Sequence, residues 1–201
     1  MELDKSINYI VSGLERSGTS MLMQILQAGD IPTGFDNSRF ADENNPKGYY
    51  ELEGGKIINR LMDRSFPLDK YKGKFIKITA YGLKYLPKGK YKIIYSQRNI
   101  EEILDSMEIM MGNKDNSRKE TKMSFIKLNN MIKQQLRERE DIYFLIVNYN
   151  NTLLKPKENI KKIIRFLDIP NNILDKMIDA VDKRLYRQRR TNPSINKYDG
   201  F

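Results

Sequence analysis

The side chains best suited to chemistry lie in one short run, Val11 to Leu22, VSGLERSGTSML. Gly13 and Gly18 bracket one cation, Arg16, and the hydroxyls of Ser17, Thr19 and Ser20 follow it. Before the run, Ile7–Val11 carries β-branched residues and a tyrosine, which predicts a buried strand. After it, Met21, Leu22, Ile25 and Leu26 share one helical face and predict a helix starting near Ser17. A strand–loop–helix of this kind aims backbone N–H groups and the positive end of the helix dipole at one point, an anion site. With no ligand, the same run reads as a tight strand-to-helix turn.

The loop departs from a Walker A loop. That motif, G-x-x-x-x-G-K-[ST], needs a lysine to reach the β- and γ-phosphates of a nucleoside triphosphate. Thr19 stands in the place of that lysine, and the cation has moved back to Arg16. ATP hydrolysis is therefore disfavoured, while another phosphate-bearing donor remains open.

A second constellation follows the turn Pro87-Lys88-Gly89 and the apolar run Tyr91–Ser96, YKIIYS, which predicts another buried strand. Arg98 stands at its end, and Ser106 lies eight residues later on a helix read from Ile100, Ile103, Leu104, Met107, Met110 and Met111. A guanidinium forks onto phosphate oxygens and a hydroxyl adds a donor. Taken alone, the pair also reads as a strand-end surface arginine and a helix serine.

The run Arg16-Ser17-Gly18-Thr19-Ser20 resembles the [KR]-S-G-T-[ST] turn with which the sulfotransferase family binds 3′-phosphoadenosine-5′-phosphosulfate (PAPS). The Arg98/Ser106 pair resembles the family's second signature, which binds the 3′-phosphate of that donor. Asn45-Pro46-Lys47-Gly48-Tyr49-Tyr50-Glu51 and Leu185-Tyr186-Arg187-Gln188-Arg189-Arg190 are similar to segments of small bacterial-type members, so the resemblance spans most of the chain. It implies a P-loop-like fold and metal-independent transfer of a sulfuryl group from PAPS to a hydroxyl or amine. It also implies that the N–H groups of Ser17, Gly18, Thr19 and Ser20 hold the 5′-phosphate, with Arg16 near the bridging oxygen. Lys77, on the run FIKITA, corresponds to family lysines that face the sulfuryl group; its other reading is a solvent-facing strand lysine. Arg187, Arg189 and Arg190 either fold back on the donor or form a solvated or nucleic-acid-binding tail. The family's cytosolic histidine base has no counterpart, because histidine is absent. Other members use a carboxylate roughly twenty residues beyond the loop cation, which implies Asp36 first, with Asp42, Glu43 and Glu51 as alternatives. Two positions depart from the pattern: Glu15 where proline is frequent and Asn99 where aspartate is frequent. The competing functions are a P-loop small-molecule kinase and a non-catalytic nucleotide- or nucleic-acid-binding protein. The kinase lacks its lysine, and no interleaving of aromatic and basic residues supports nucleic acid.

Composition narrows the field. A chain of 201 residues is long enough for a proper core, and one domain (1–201, with 183–201 as a basic tail) is the expectation. Cysteine and histidine are both absent, which excludes disulfides, thiol chemistry, a zinc site of the usual kind and any imidazole base. The net charge of +10 favours anionic partners, and five of the eight residues Lys183–Arg190 are basic. No apolar run is long enough for a membrane span, and MELDKSINYIVSG lacks the signal-peptide pattern, so a cytoplasmic location is expected.

The elements that must position these residues alternate as in an α/β fold: a three-layer α/β/α arrangement with a mostly parallel sheet. Predicted strands are 7–11, 75–79, 91–96 and 143–147. Predicted helices are 17–28, 53–64, 100–111, 117–138, 156–167 and 171–182. The stripes Ile160, Ile163, Ile164, Leu167 and Ile173, Met177, Ile178, Val181 read as core. Residues 30–50 lack periodicity and form a long loop of the kind that often carries function.

Overall fold

The computed structural model describes residues 2–36, 38–188 and 190. Strands β1 (Asn8–Gly13), β2 (Phe75–Lys77), β3 (Tyr91–Gln97) and β4 (Ile142–Asn148) form one sheet in the order β2-β1-β3-β4. Every pairing is parallel, with Gly13 opposite Ser96 and Ser96 opposite Val147. The helices are α1 (Thr19–Ala28), α2 (Ile57–Met62), α3 (Ile100–Met111), α4 (Arg118–Glu138), α5 (Tyr149–Leu154), α6 (Pro156–Leu167) and α7 (Leu174–Asp179).

A parallel sheet is covered on both faces by its own crossovers, so its strands are apolar on both sides. All six residues of β1 are buried. Successive side chains alternate between two cores. Ile10, Ile93 and Tyr95 pack with Ile57 and Leu61 of α2, Ile103 of α3, and Ile132 and Leu136 of α4. Tyr9, Val11 and Ile94 pack with Leu22 and Ile25 of α1, Ile160 and Ile163 of α6, and Met177 of α7. The expected α/β/α layering is thus observed, with all four strands parallel.

The sheet order creates the crevice. After β1 the chain moves to one side, to β2; after β3 it moves to the other, to β4. The loops leaving β1 and β3 therefore diverge, and a parallel sheet binds ligands at that switch point. The two candidate phosphate segments follow those two strands.

Local chemistry sets the boundaries. Helix α3 starts at Asn99, whose side chain accepts from the N–H groups of Glu101 and Glu102 at 2.8 and 3.4 Å. It stops at Gly112, φ 69°. The helix expected at 53–64 breaks into a 3₁₀ turn, Glu53–Gly55, and α2, because Gly54 and Gly55 hold φ of 62° and 84°. The helix expected from Ser17 begins at Thr19, since Gly18 is left-handed. The strand expected at 75–79 ends at Lys77, and 171–182 splits into a 3₁₀ turn, Asn171–Ile173, and α7. Helix α5 was not expected; Asn148 caps it by accepting from the Asn151 N–H at 2.9 Å. Among the described residues, no helix is long and apolar enough to cross a membrane.

Ile94 lies at the centre of the sheet with no exposure. Ile94→Ala is expected to lower stability by about 2–5 kcal/mol in equilibrium urea unfolding. A loss below about 1 kcal/mol would contradict tight packing of the core shared with α1, α6 and α7.

Candidate functional site

The loop between β1 and α1 is held in a conformation that few sequences adopt. Gly13 has φ 152°, and a Cβ there would lie 2.4 Å from Ser17 Oγ and 2.6 Å from the Ser96 carbonyl oxygen. Gly18 has φ 99°, and a Cβ would lie 2.2 Å from Tyr149 Cδ2. Arg16 takes φ 60°, which costs a side-chain-bearing residue about 1–2 kcal/mol. Its carbonyl accepts from Arg98 Nη1 at 2.9 Å. The Ser17 carbonyl accepts from Ser96 Oγ at 2.7 Å. The loop is thus fastened to the end of β3.

The Ser17 N–H is used within the loop, donating to the Leu14 carbonyl at 3.1 Å. That bond would have to be shared or exchanged for Ser17 to take the phosphate role that the motif implies. The amides of Gly18, Thr19 and Ser20 stand at the helix start, where no intrahelical acceptor exists. Ser17 Oγ is buried and makes no hydrogen bond.

The cleft above this loop has a volume of about 430 Å³. Arg16, Gly18, Thr19, Ser20, Lys77, Arg98, Ser106 and Arg187 line it, as do Glu15, Arg39, Tyr49, Glu51 and Tyr149. Arg16 Nε donates to Ser106 Oγ at 2.9 Å, and Nη2 to the Asn44 carbonyl at 3.2 Å. Burial holds the Arg16 guanidinium below its ordinary pKa, and the nearby Arg98 charge pushes the same way. Arg98 is 8% exposed. Its Nε donates to Glu102 Oε2 at 3.1 Å, and its Nη2 is buried with no partner. A buried donor left unmade costs about 1–3 kcal/mol, so Nη2 marks a place where an acceptor fits.

On the other wall, Lys77 Nζ donates to the Tyr49 carbonyl at 2.7 Å, to Glu51 Oε1 at 2.9 Å and to Ser20 Oγ at 3.3 Å. Lys77 is therefore buried in the cleft rather than facing solvent. Burial lowers its pKa, and Glu51 opposes that shift. The second oxygen of Glu51 receives Arg39 Nη1 at 3.0 Å. The Arg39 guanidinium also lies 3.5 Å from the centroid of the Tyr49 ring.

The carboxylates suggested by sequence separate clearly. Asp36 does not line the cleft. It accepts from the Glu53 and Ser38 N–H groups, each at 2.8 Å, and from Ser38 Oγ. Burial raises its pKa, but these bonds together hold it below the ordinary value. Asp42 binds the Tyr49 hydroxyl at 2.7 Å and caps the turn at Asn44 and Asn45. Glu43 is exposed and contributes its carbonyl, which accepts from Arg187 Nη1 at 2.7 Å. Only Glu51 of the four lines the cleft. Arg190 turns to Asp105, with contacts of 2.7 and 2.8 Å, and does not line it. Arg189 lies outside the described residues.

Sequence reasoning missed Tyr149, Arg39 and Glu102. Tyr149 could have been found from its place just after an apolar strand, where parallel sheets gather site residues. Arg39 and Glu102 carried no such signal. Among the described residues, no group of three or more acidic side chains is placed to hold a metal ion.

A glycine-bracketed loop at the switch point of a parallel sheet, facing a second basic strand end, is the place where α/β folds of this class gather anion-binding groups. The chain matches the sulfotransferase domain over residues 6–199 and belongs to that family. Its fold is similar to the sulfotransferase domain from the Synechococcus PCC 7002 olefin synthase, with TM-score 0.55, 18% identity, and coverage of 93% of this chain and 84% of that one. Sulfotransferase STF9 from Mycobacterium avium gives TM-score 0.51 at 12% identity, covering 85% and 66%. Mouse sulfotransferase SULT7A1, complexed with PAP, gives 0.50 at 14%, covering 90% and 66%. At such identities the likeness speaks for the fold alone. No curated protein matches the sequence.

Gly18→Ala places a methyl group inside the Tyr149 ring at a left-handed φ. The variant is expected to lose about 2 kcal/mol or more of stability, read from the urea midpoint. An unchanged midpoint would show that Tyr149 does not rest on the loop.

Proposed function

We propose that this protein transfers a sulfuryl group from PAPS to a hydroxyl or amine acceptor without a metal. The observation that carries the reading is Arg98 Nη2, buried and unpartnered in the cleft wall, with Ser106 and Arg16 beside it. PAP, the product of such a donor, is the ligand in the mouse SULT7A1 structure.

In this reading the amides of Gly18, Thr19 and Ser20 hold the 5′-phosphate. Arg98 and Ser106 hold the 3′-phosphate, and Arg187 adds charge at the cleft edge. The acceptor oxygen or nitrogen bonds to sulfur as the bond from sulfur to the bridging oxygen breaks. The electron pair stays on that oxygen, and PAP leaves. Arg16 meets the charge that develops there, an electrostatic role of the kind that dominates group transfer. Lys77 exchanges its longest contact, 3.3 Å to Ser20 Oγ, for a sulfuryl oxygen while Tyr49 and Glu51 hold it in place. The proton of the acceptor passes to a carboxylate, and the geometry favours Glu51 over Asp36, because Glu51 lines the cleft and touches Lys77. No triphosphate has to be neutralised, and the chain supplies the cations itself.

Calorimetry should give micromolar PAP binding in EDTA, weakened about tenfold or more in Arg98→Ala, since a hydrogen bond to a charged group contributes about 1.5–3 kcal/mol. A preference for Mg-ATP over PAP would instead favour a kinase. With an acceptor in hand, Glu51→Gln is expected to lower kcat by about 10²–10⁴-fold, and Asp36→Asn to leave it near wild type. The reverse ranking would return the base to Asp36.

A further inference from the structure

One buried carboxylate beside the cleft takes no part in the transfer described above. Glu102, in the first turn of α3, is 2% exposed. Removing such a charge from water costs several kcal/mol unless partners satisfy it. Four donors converge on it. Arg98 Nε reaches it at 3.1 Å and the Tyr186 hydroxyl at 2.6 Å. Asn150 Nδ2 lies 3.1 Å from both oxygens, and the Arg190 N–H lies at 3.4 Å.

These donors arrive from three places: the end of β3, helix α5 and the C-terminal segment. With Nε held by Glu102 and Nη1 by the Arg16 carbonyl, the Arg98 guanidinium has one orientation, and only Nη2 is left open. The C-terminal segment meanwhile spans the cleft edge. Asp182 pairs with Lys47 at 3.1 Å, Arg187 binds the Glu43 carbonyl, and Arg190 pairs with Asp105. Within it, the Tyr186 ring faces the Arg98 guanidinium at 5.8 Å while its hydroxyl binds Glu102.

We infer that Glu102 is a positioning residue: it orients Arg98 for the 3′-phosphate and joins that arginine to residues 183–188 and 190, so that phosphate recognition and docking of these residues are linked. The inference rests on the reading of the donor as PAPS. Linkage is reciprocal, so a 3′-phosphate that tightens the hold on Arg98 must also favour the docked segment. A carboxylate acting through charge alone would have the opposite sign: it repels phosphate, and neutralising it would tighten binding.

The test compares PAP with 5′-AMP, which lacks the 3′-phosphate, by calorimetry on wild type, Glu102→Gln and Tyr186→Phe. Glu102→Gln is expected to weaken PAP about tenfold or more while changing 5′-AMP less than about twofold. Tyr186→Phe is expected to weaken PAP about threefold, the size of one modest hydrogen bond. In wild type, PAP but not 5′-AMP should slow tryptic cleavage within 183–188, and Tyr186→Phe should abolish that protection. Unchanged or tighter PAP binding by folded Glu102→Gln overturns the inference, as does full protection in Tyr186→Phe. If Glu102→Gln does not fold, the Tyr186→Phe arm decides, since it removes one hydroxyl only. Failure of wild type to bind PAP defeats the donor reading and this inference together. PAP binding by wild type with no effect of either variant defeats this inference alone.

Discussion

The hydrogen bond from Arg98 to the Arg16 carbonyl is the contact on which the site depends. The loop after β1 takes two left-handed residues, Arg16 and Gly18, in three positions, which an isolated chain would not hold. The bond fastens that loop to the end of the neighbouring strand. Ser96 adds a second fastening at the next carbonyl of the loop, that of Ser17. Because β1 and β3 pair in register up to Gly13 and Ser96, the two anchors start from a fixed separation. Loop shape, arginine orientation and sheet register are therefore one constraint seen at three levels.

That arrangement concentrates positive charge. Arg16, Arg39, Lys77, Arg98 and Arg187 face one cleft, against Glu15, Glu51 and Asp182. The cost shows in the lowered pKa of Arg16 and Lys77, where burial dominates and neighbouring arginines contribute. Pairing with Glu51 and Glu102 offsets part of it and fixes the side chains before any ligand arrives. Groups that are already oriented need little reorganisation when a polyanion enters, which is how fixed charges act most strongly.

Much of this was legible in the residues, for reasons that differ by element. The strands were readable because a parallel sheet buried on both faces leaves short, mainly apolar runs such as YIV and, interrupted by Lys92 alone, YKIIY. Arg16, Arg98 and Ser106 stood out by motif spacing, and the fold brings Arg16 and Ser106 to 2.9 Å. Helix α5 was not readable: NYNNTLL has poor helix propensity, and its helix depends on the Asn148 cap and on burial of Tyr149 and Leu153. The break at Gly54-Gly55 lies in the left-handed φ of both glycines, which the apolar periodicity of Ile57 and Leu61 does not report. The choice among Asp36, Asp42, Glu43 and Glu51 could not come from spacing, since all four share one aperiodic stretch and only folding shows which faces inward.

The cleft has two walls of different construction, and the paired glycines Gly54 and Gly55 end the stretch that forms one of them. The wall formed by the loop after β1 and by Arg98 is built on strand ends and shares their register, so a substitution there disturbs the sheet. The wall around Glu51 belongs to the stretch between the end of α1 and this glycine joint; among its described residues it meets the sheet at the Thr33–Phe75 bridge and through Lys77, which holds the Tyr49 carbonyl and Glu51. Insertions or exchanges in that stretch can reshape what the cleft admits while leaving the strand-end anchors where they are.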